Sequence, residues 1–131
     1  MIPVTQTRTG PEGTCFAACM ASILEIPIWE IPEFGDDEVF LQNIQAFLEP
    51  RGLYYVQVAP DDPIVEIAFR VGEVFHTVEG LSPRGGQHAC VGLNGSIIWD
   101  PHPNDGSKHG LVSIEAYGLL CARMNGNKRN L

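Results

Sequence analysis

The chain has 131 residues, of which 44% are hydrophobic and 18% charged, and it carries a formal net charge of -8 at pH 7. These values fit a single globular domain over residues 1–131 and exclude a disordered chain; the acidic excess excludes the basic footprint that nucleic-acid binding needs. No apolar run reaches the roughly 20 residues that span a bilayer, and MIPVTQTRTG lacks the basic start and apolar stretch of a secretion signal, so a cytoplasmic chain without a membrane partner is expected.

Residues 1 to 9 read as an extended lead-in, and Gly10, Pro11 and Gly13 as a turn. A helix follows from Thr14 to about Glu25, with Thr14 as its cap. Phe16, Met20, Ile23 and Leu24 recur at helical spacing, and Ala18, Cys19 and Ser22 form a second, small-residue stripe suited to lying close on a sheet. Pro27 and Pro32 end this helix in an extended loop. Asp36 and Asp37 begin a second helix over 37–49. Its apolar face is Val39, Phe40, Ile44, Phe47 and Leu48, and Pro50 and Gly52 close it.

LYYVQV, 53 to 58, reads as a strand and Asp61, Asp62 and Pro63 as a turn; 64 to 70 fits a strand or a short helix. From Glu73 the pattern turns to β: EVFHTVEG, then HACVG after the SPRGG loop, then SIIWD after Leu93-Asn94-Gly95. PHPNDGSKHG is a loop, Leu111 to Ile114 a strand, and the remainder a turn and a last strand. Helices first and an antiparallel sheet after them make the class α+β.

The four cysteines are Cys15, Cys19, Cys90 and Cys121. Without a secretion signal or a CxxC pair, reduced thiols are expected rather than disulfides or a thiolate zinc site. Cys15 stands at a helix start, where unpaired amides and the helix dipole favour an anion. A thiol of pKa near 8.5 is only about 3% ionised at pH 7. Lowering that pKa by about two units takes roughly 2.7 kcal/mol, more than the 0.3–1 kcal/mol a helix terminus commonly supplies. An active Cys15 therefore needs a cationic imidazole too; Glu12, pointing inward, works against it.

Of His76, His88, His102 and His109, His88 is the candidate, because it opens a strand beside the flexible SPRGG loop. Its orienting acceptor is Asp100, at the end of the next strand. A two-residue Asn94-Gly95 turn would set Ala89 against Asp100 and turn His88 and Asp100 to opposite faces. A three-residue Leu93-Asn94-Gly95 loop would pair Gly92 with Ser96 and set His88 across from Asp100, and this register is the expectation. It places Cys90 and Ile98 on the His88 face under the small stripe of the first helix, with Ala89, Val91, Ile97 and Trp99 on the other. Cys19 then lies buried and inert beside Cys90. Arg84 and Gln87, flanking His88, are the candidate substrate-binding residues.

Gln6, TCFAAC at 14 to 19, QHACVG at 87 to 92 and IIWDPHP at 97 to 103 together resemble the papain-like cysteine peptidases. The likeness is closer to the compact bacteriocin-processing peptidases, with their Q…CGAAC-like and H…DP-like segments. The run GLSPRGGQHACVGLNGSIIWDPHP also resembles small papain-like proteins encoded by bacteriophages. The resemblance spans residues 6 to 24 and 80 to 103. It implies a minimal papain-like fold with the nucleophile helix on an antiparallel sheet. Cys15 would be the nucleophile, His88 the general base and acid, Asp100 its orienter, and Gln6 the side-chain donor of the oxyanion hole. Two departures stand out: Cys15 follows Gln6 by nine positions, a longer gap than usual, and Phe16 replaces the glycine that follows the nucleophile.

The implied function is hydrolysis of an amide, peptide or isopeptide bond in a peptide or protein substrate, through a thioester and without a cofactor. Deamidation and transglutamination use the same parts. An idle scaffold that grips a peptide or small ligand is the alternative from another class. His102, His109, Asp100 and Asp105 match no metal-binding spacing, so no metal is expected.

Overall fold

The computed structural model describes residues 1–9, 13–35, 37–103, 106 and 108–124. Gly10, Pro11, Glu12, Asp36 and Asp105 lie outside the described residues, as do the expectations placed on them. The chain divides into two compact units, residues 1–32 with 57–119, and residues 33–56 with 120–131.

In the first unit, α1 (Cys15–Leu24) ends where Glu25 turns left-handed. Thr14 holds the N-cap position, but its hydroxyl accepts from the Thr7 and Arg8 amides, and among the described residues no side chain caps the helix. Between Pro27 and Ile31 the loop after α1 winds into a single 3-10 turn, Ile28–Glu30. Segment 64–70 resolves as helix, α3 (Pro63–Ala68): Asp62 caps it by accepting from Ile64 N at 3.0 Å, and Pro63 occupies its first turn, where no backbone donor is needed.

Strands β2 (Phe75–Leu81), β3 (Gln87–Leu93), β4 (Ser96–Trp99) and the first residues of β5 (Ser113–Ala122) build an antiparallel sheet in the order β5-β2-β3-β4. β5 is continuous, where a turn and a separate last strand were expected. Both faces of the sheet are covered. Cys19 of α1 packs with Ala89, Val91 and Trp99 on one face. Val65 and Phe69, in and just after α3, pack with Val78 and Tyr117 on the other. The first helix therefore sits on the Ala89/Val91 face, not on the Cys90/Ile98 face, because the helix at 63–68 occupies the opposite side.

The β3–β4 hairpin also departs from the expected register. Asn94 (φ 48°) and Gly95 (φ 90°) form a two-residue turn, so Leu93 pairs with Ser96 and Gly92 with Ile97. The register then steps and Val91 pairs with Trp99, a β-bulge that leaves Ile98 as the extra residue.

The second unit holds α2 (Asp37–Leu48), the 3-10 turn Glu49–Arg51, β1 (Leu53–Val58) up to Val56, and the end of β5, which neighbours β1. Ile44 and Leu48 are its buried helix positions, while Val39 is exposed. Gln45 exchanges side-chain hydrogen bonds with both backbone groups of Tyr55, tying helix to strand. Gly52 closes the helical segment in the left-handed region. Among the described residues no helix is long and apolar enough to cross a membrane.

Candidate functional site

The candidate residues all belong to the first unit. His88 is the second residue of β3 and Asp100 follows β4 directly. Extending the ladder past the Val91–Trp99 pair sets Cys90, not His88, opposite Asp100. His88 is two residues further along the same face, on the diagonal, which long side chains still span. Its Nε2 meets Asp100 Oδ1 at 2.7 Å, and both side chains are more than nine-tenths buried. The expected pair thus forms through a different register.

Three donors hold the Asp100 carboxylate. His88 Nε2 and His102 N reach Oδ1, the latter at 2.9 Å, and Gly110 N reaches Oδ2 at 2.6 Å. The loop after β4 thereby wraps its own acidic residue. Burial opposes charge on Asp100, but His88 and the Gly110 and His102 amides outweigh it and hold the carboxyl well below the usual carboxylate range. Burial likewise opposes charge on His88. There Asp100, then Cys15 and Cys90, outweigh it and hold the imidazole far above its ordinary pKa, as a cation at neutral pH.

Cys15 is the first residue of α1 and is half-buried, packed against the Cys19, Ala89 and Val91 cluster. Through Asp100 one nitrogen of His88 is fixed, and the Cys15 and Cys90 thiols help hold the ring's pKa up. Cys19, one turn on, is fully buried, and burial, then the neighbouring Cys15, pushes its thiol well up. Its expected inertness follows from that burial, although it lies against Ala89 and Val91.

Gln6 reaches the site through the backbone. Its amide bonds Pro101 O at 2.8 Å, next to Asp100, and Thr7 N and Arg8 N bond the Thr14 hydroxyl, next to Cys15. The buried side chain donates from Nε2 to Arg8 O at 2.6 Å, while its Oε1 is buried without a partner among the described residues. Arg84 donates to the Lys108 carbonyl, joining the SPRGG loop to the loop that wraps Asp100. Gln87 is exposed; with its side-chain amide flipped, the nitrogen donates to Glu115 Oε1 and Gly80 O, each at 3.2 Å.

Two residues gain roles that spacing alone did not assign. Cys90 lies with His88 and Asp100 in one buried cluster whose ligand-type atoms are all within 4.8 Å of one another. The signal was its position two residues from His88 on one strand. His76, fully buried, stacks on Phe69 with ring centroids 5.0 Å apart. Its Nε2 accepts from Gly95 N at 2.9 Å and its Nδ1 pairs with Thr77 O at 3.0 Å, which fixes a neutral tautomer. Burial lowers its pKa against the opposing Thr77 contact. It braces the turn rather than the chemistry. The His102 and His109 rings stand edge-on, 5.6 Å apart, and His109 Nε2 bonds His102 O.

No protein family, curated protein or solved structure matches this chain.

Proposed function

We propose that the chain is a cysteine-dependent hydrolase of minimal papain-like fold that cleaves an amide or peptide bond of a peptide or protein substrate. The observation that carries this reading is the buried His88–Asp100 pair at 2.7 Å beside a half-buried thiol at a helix start. An imidazolium held by a carboxylate stabilises a thiolate beside it, so the thiol gives its proton to water and stays as the anionic nucleophile.

Cys15 Sγ attacks the substrate carbonyl, and the carbonyl π electrons move to oxygen. The uncapped start of α1 offers the Cys15 amide to that oxyanion. His88 gives its proton to the leaving amine as the carbon–nitrogen bond breaks, which leaves a thioester. Neutral His88 then takes a proton from water, hydroxide attacks the thioester, and the acid product departs with the thiolate restored. Asp100 keeps the ring oriented throughout. Gln6 is a second oxyanion donor once its amide turns from Arg8 O.

The test is mass-spectrometric profiling of a peptide library with the native chain and with Cys15→Ala. Cleavage or a mass gain of 1 Da from deamidation, seen with the native chain alone, supports the reading. Identical libraries after both treatments, together with no acyl adduct on Cys15, sink it.

A further inference from the structure

We propose that His88, Cys90 and Asp100 form a three-ligand binding site for a zinc-class divalent cation, with water in the fourth position. A ring nitrogen, a thiol sulfur and a carboxylate oxygen from these three residues lie within 4.8 Å of one another. Tetrahedral zinc bonds of about 2.0–2.3 Å need donors roughly 3.3–3.8 Å apart, so side-chain shifts of about 1 Å complete the set. The donors combine borderline nitrogen, soft sulfur and one oxygen, a set that selects zinc over calcium or magnesium.

The surroundings are those of a built site. His88 and Cys90 are buried, at 6% and 0% exposure. Asp100 is already held from outside by Gly110 N and His102 N, the kind of outer support that fixes a ligating carboxylate. Binding is a balanced exchange. One cation and one water enter, the Cys90 thiol and the His88 imidazolium each release a proton, and the Cys90 thiolate, the Asp100 carboxylate, the neutral imidazole and the water surround the metal. Occupied, the site withholds His88 from any acyl chemistry.

The experiment titrates the full, metal-free chain with Zn²⁺, and in parallel with Co²⁺ to read thiolate ligation from its near-ultraviolet charge-transfer absorption. The expected result is one ion per chain with a thiolate band. Affinity should drop at least about 100-fold in both Cys90→Ala and the near-isosteric Cys90→Ser, and stay unchanged in Cys121→Ala. Circular dichroism of each metal-free variant checks folding. No stoichiometric binding, no thiolate band, or full affinity in a folded Cys90→Ser chain overturns the proposal. Alkylation of Cys15 in the metal-free chain reads the hydrolase proposal separately, so either can fail alone.

Discussion

Asp100 Oδ1 receives His88 Nε2 at 2.7 Å from a strand position that is diagonal, not opposite, to it. The two-residue Asn94-Gly95 turn alone would have sent the two side chains to opposite faces, because side chains alternate along a strand. The bulge at Ile98 inserts one residue and restores the parity.

Deleting Ile98 removes the extra residue and should turn Asp100 away from His88. The expected outcome is a folded chain in which Cys15 alkylates no faster than Cys121, because the imidazole has lost its orienter. Asp100→Asn should cost about 10²–10⁴-fold in turnover while keeping the ring in place. Full reactivity in the deletion variant would mean that the His88–Asp100 bond is not what activates the thiol.

The pH dependence of stability has a definite sign. His88 is raised by its partners, so the folded chain holds a proton that the unfolded chain gives up above about pH 6.5. In Cys15→Ala, which removes the thiol as a second titrating group, the His88 contribution to stability should be greatest below that pH. It should fall as pH rises toward the folded pKa, by up to about 1.4 kcal/mol per unit. Asp100 acts oppositely at the acid end: its lowered pKa gives stability above about pH 4 that is lost as pH falls. Urea midpoints at a series of pH values check both, and a flat profile from pH 7 to 9 in Cys15→Ala contradicts the first.

His76 has a lowered pKa and stays neutral when folded, so its contribution is present above about pH 6.5 and lost as pH falls below it. His76→Leu removes that acid limb and leaves Gly95 N without its acceptor. A loss of about 1–3 kcal/mol at pH 7 is expected from denaturant melts. An unchanged midpoint would show that the turn does not depend on the ring.

Gly80 sits opposite His88 where β5 bulges toward β2. A side-chain carbon there would lie 1.9 Å from the Ser113 carbonyl oxygen. Gly80→Ala should therefore cost about 1–3 kcal/mol and disturb His88 through the strand itself. A stability equal to that of the native chain would contradict this close approach.

Much of the architecture was legible in the sequence because local rules govern it. The 3.6-residue spacing of Phe16, Met20 and Ile23 specified α1, and LYYVQV marked β1 to the residue. Cys15, His88 and Asp100 were legible as a set because each sits at the start or end of an element. The register was not legible. Asn94-Gly95 is a strong two-residue turn signal, but it gave the wrong parity for His88 and Asp100, and nothing in SIIWD marks a bulge. The face that α1 covers depended on the helix at 63–68, whose short apolar run fits either period. The Arg84–Lys108 contact and the unpartnered Gln6 Oε1 are tertiary facts that spacing does not carry.

The most direct measurement of the central claim is the rate of Cys15 alkylation by iodoacetamide against pH, read residue by residue by mass spectrometry. Cys121, equally half-buried, serves as the internal standard. The account predicts that Cys15 labels at least tenfold faster than Cys121 at pH 6–7, where ordinary thiols are about 3% ionised or less, and that His88→Ala abolishes the difference. Equal rates for the two cysteines across that range, or a fast Cys15 in a folded His88→Ala chain, would contradict it.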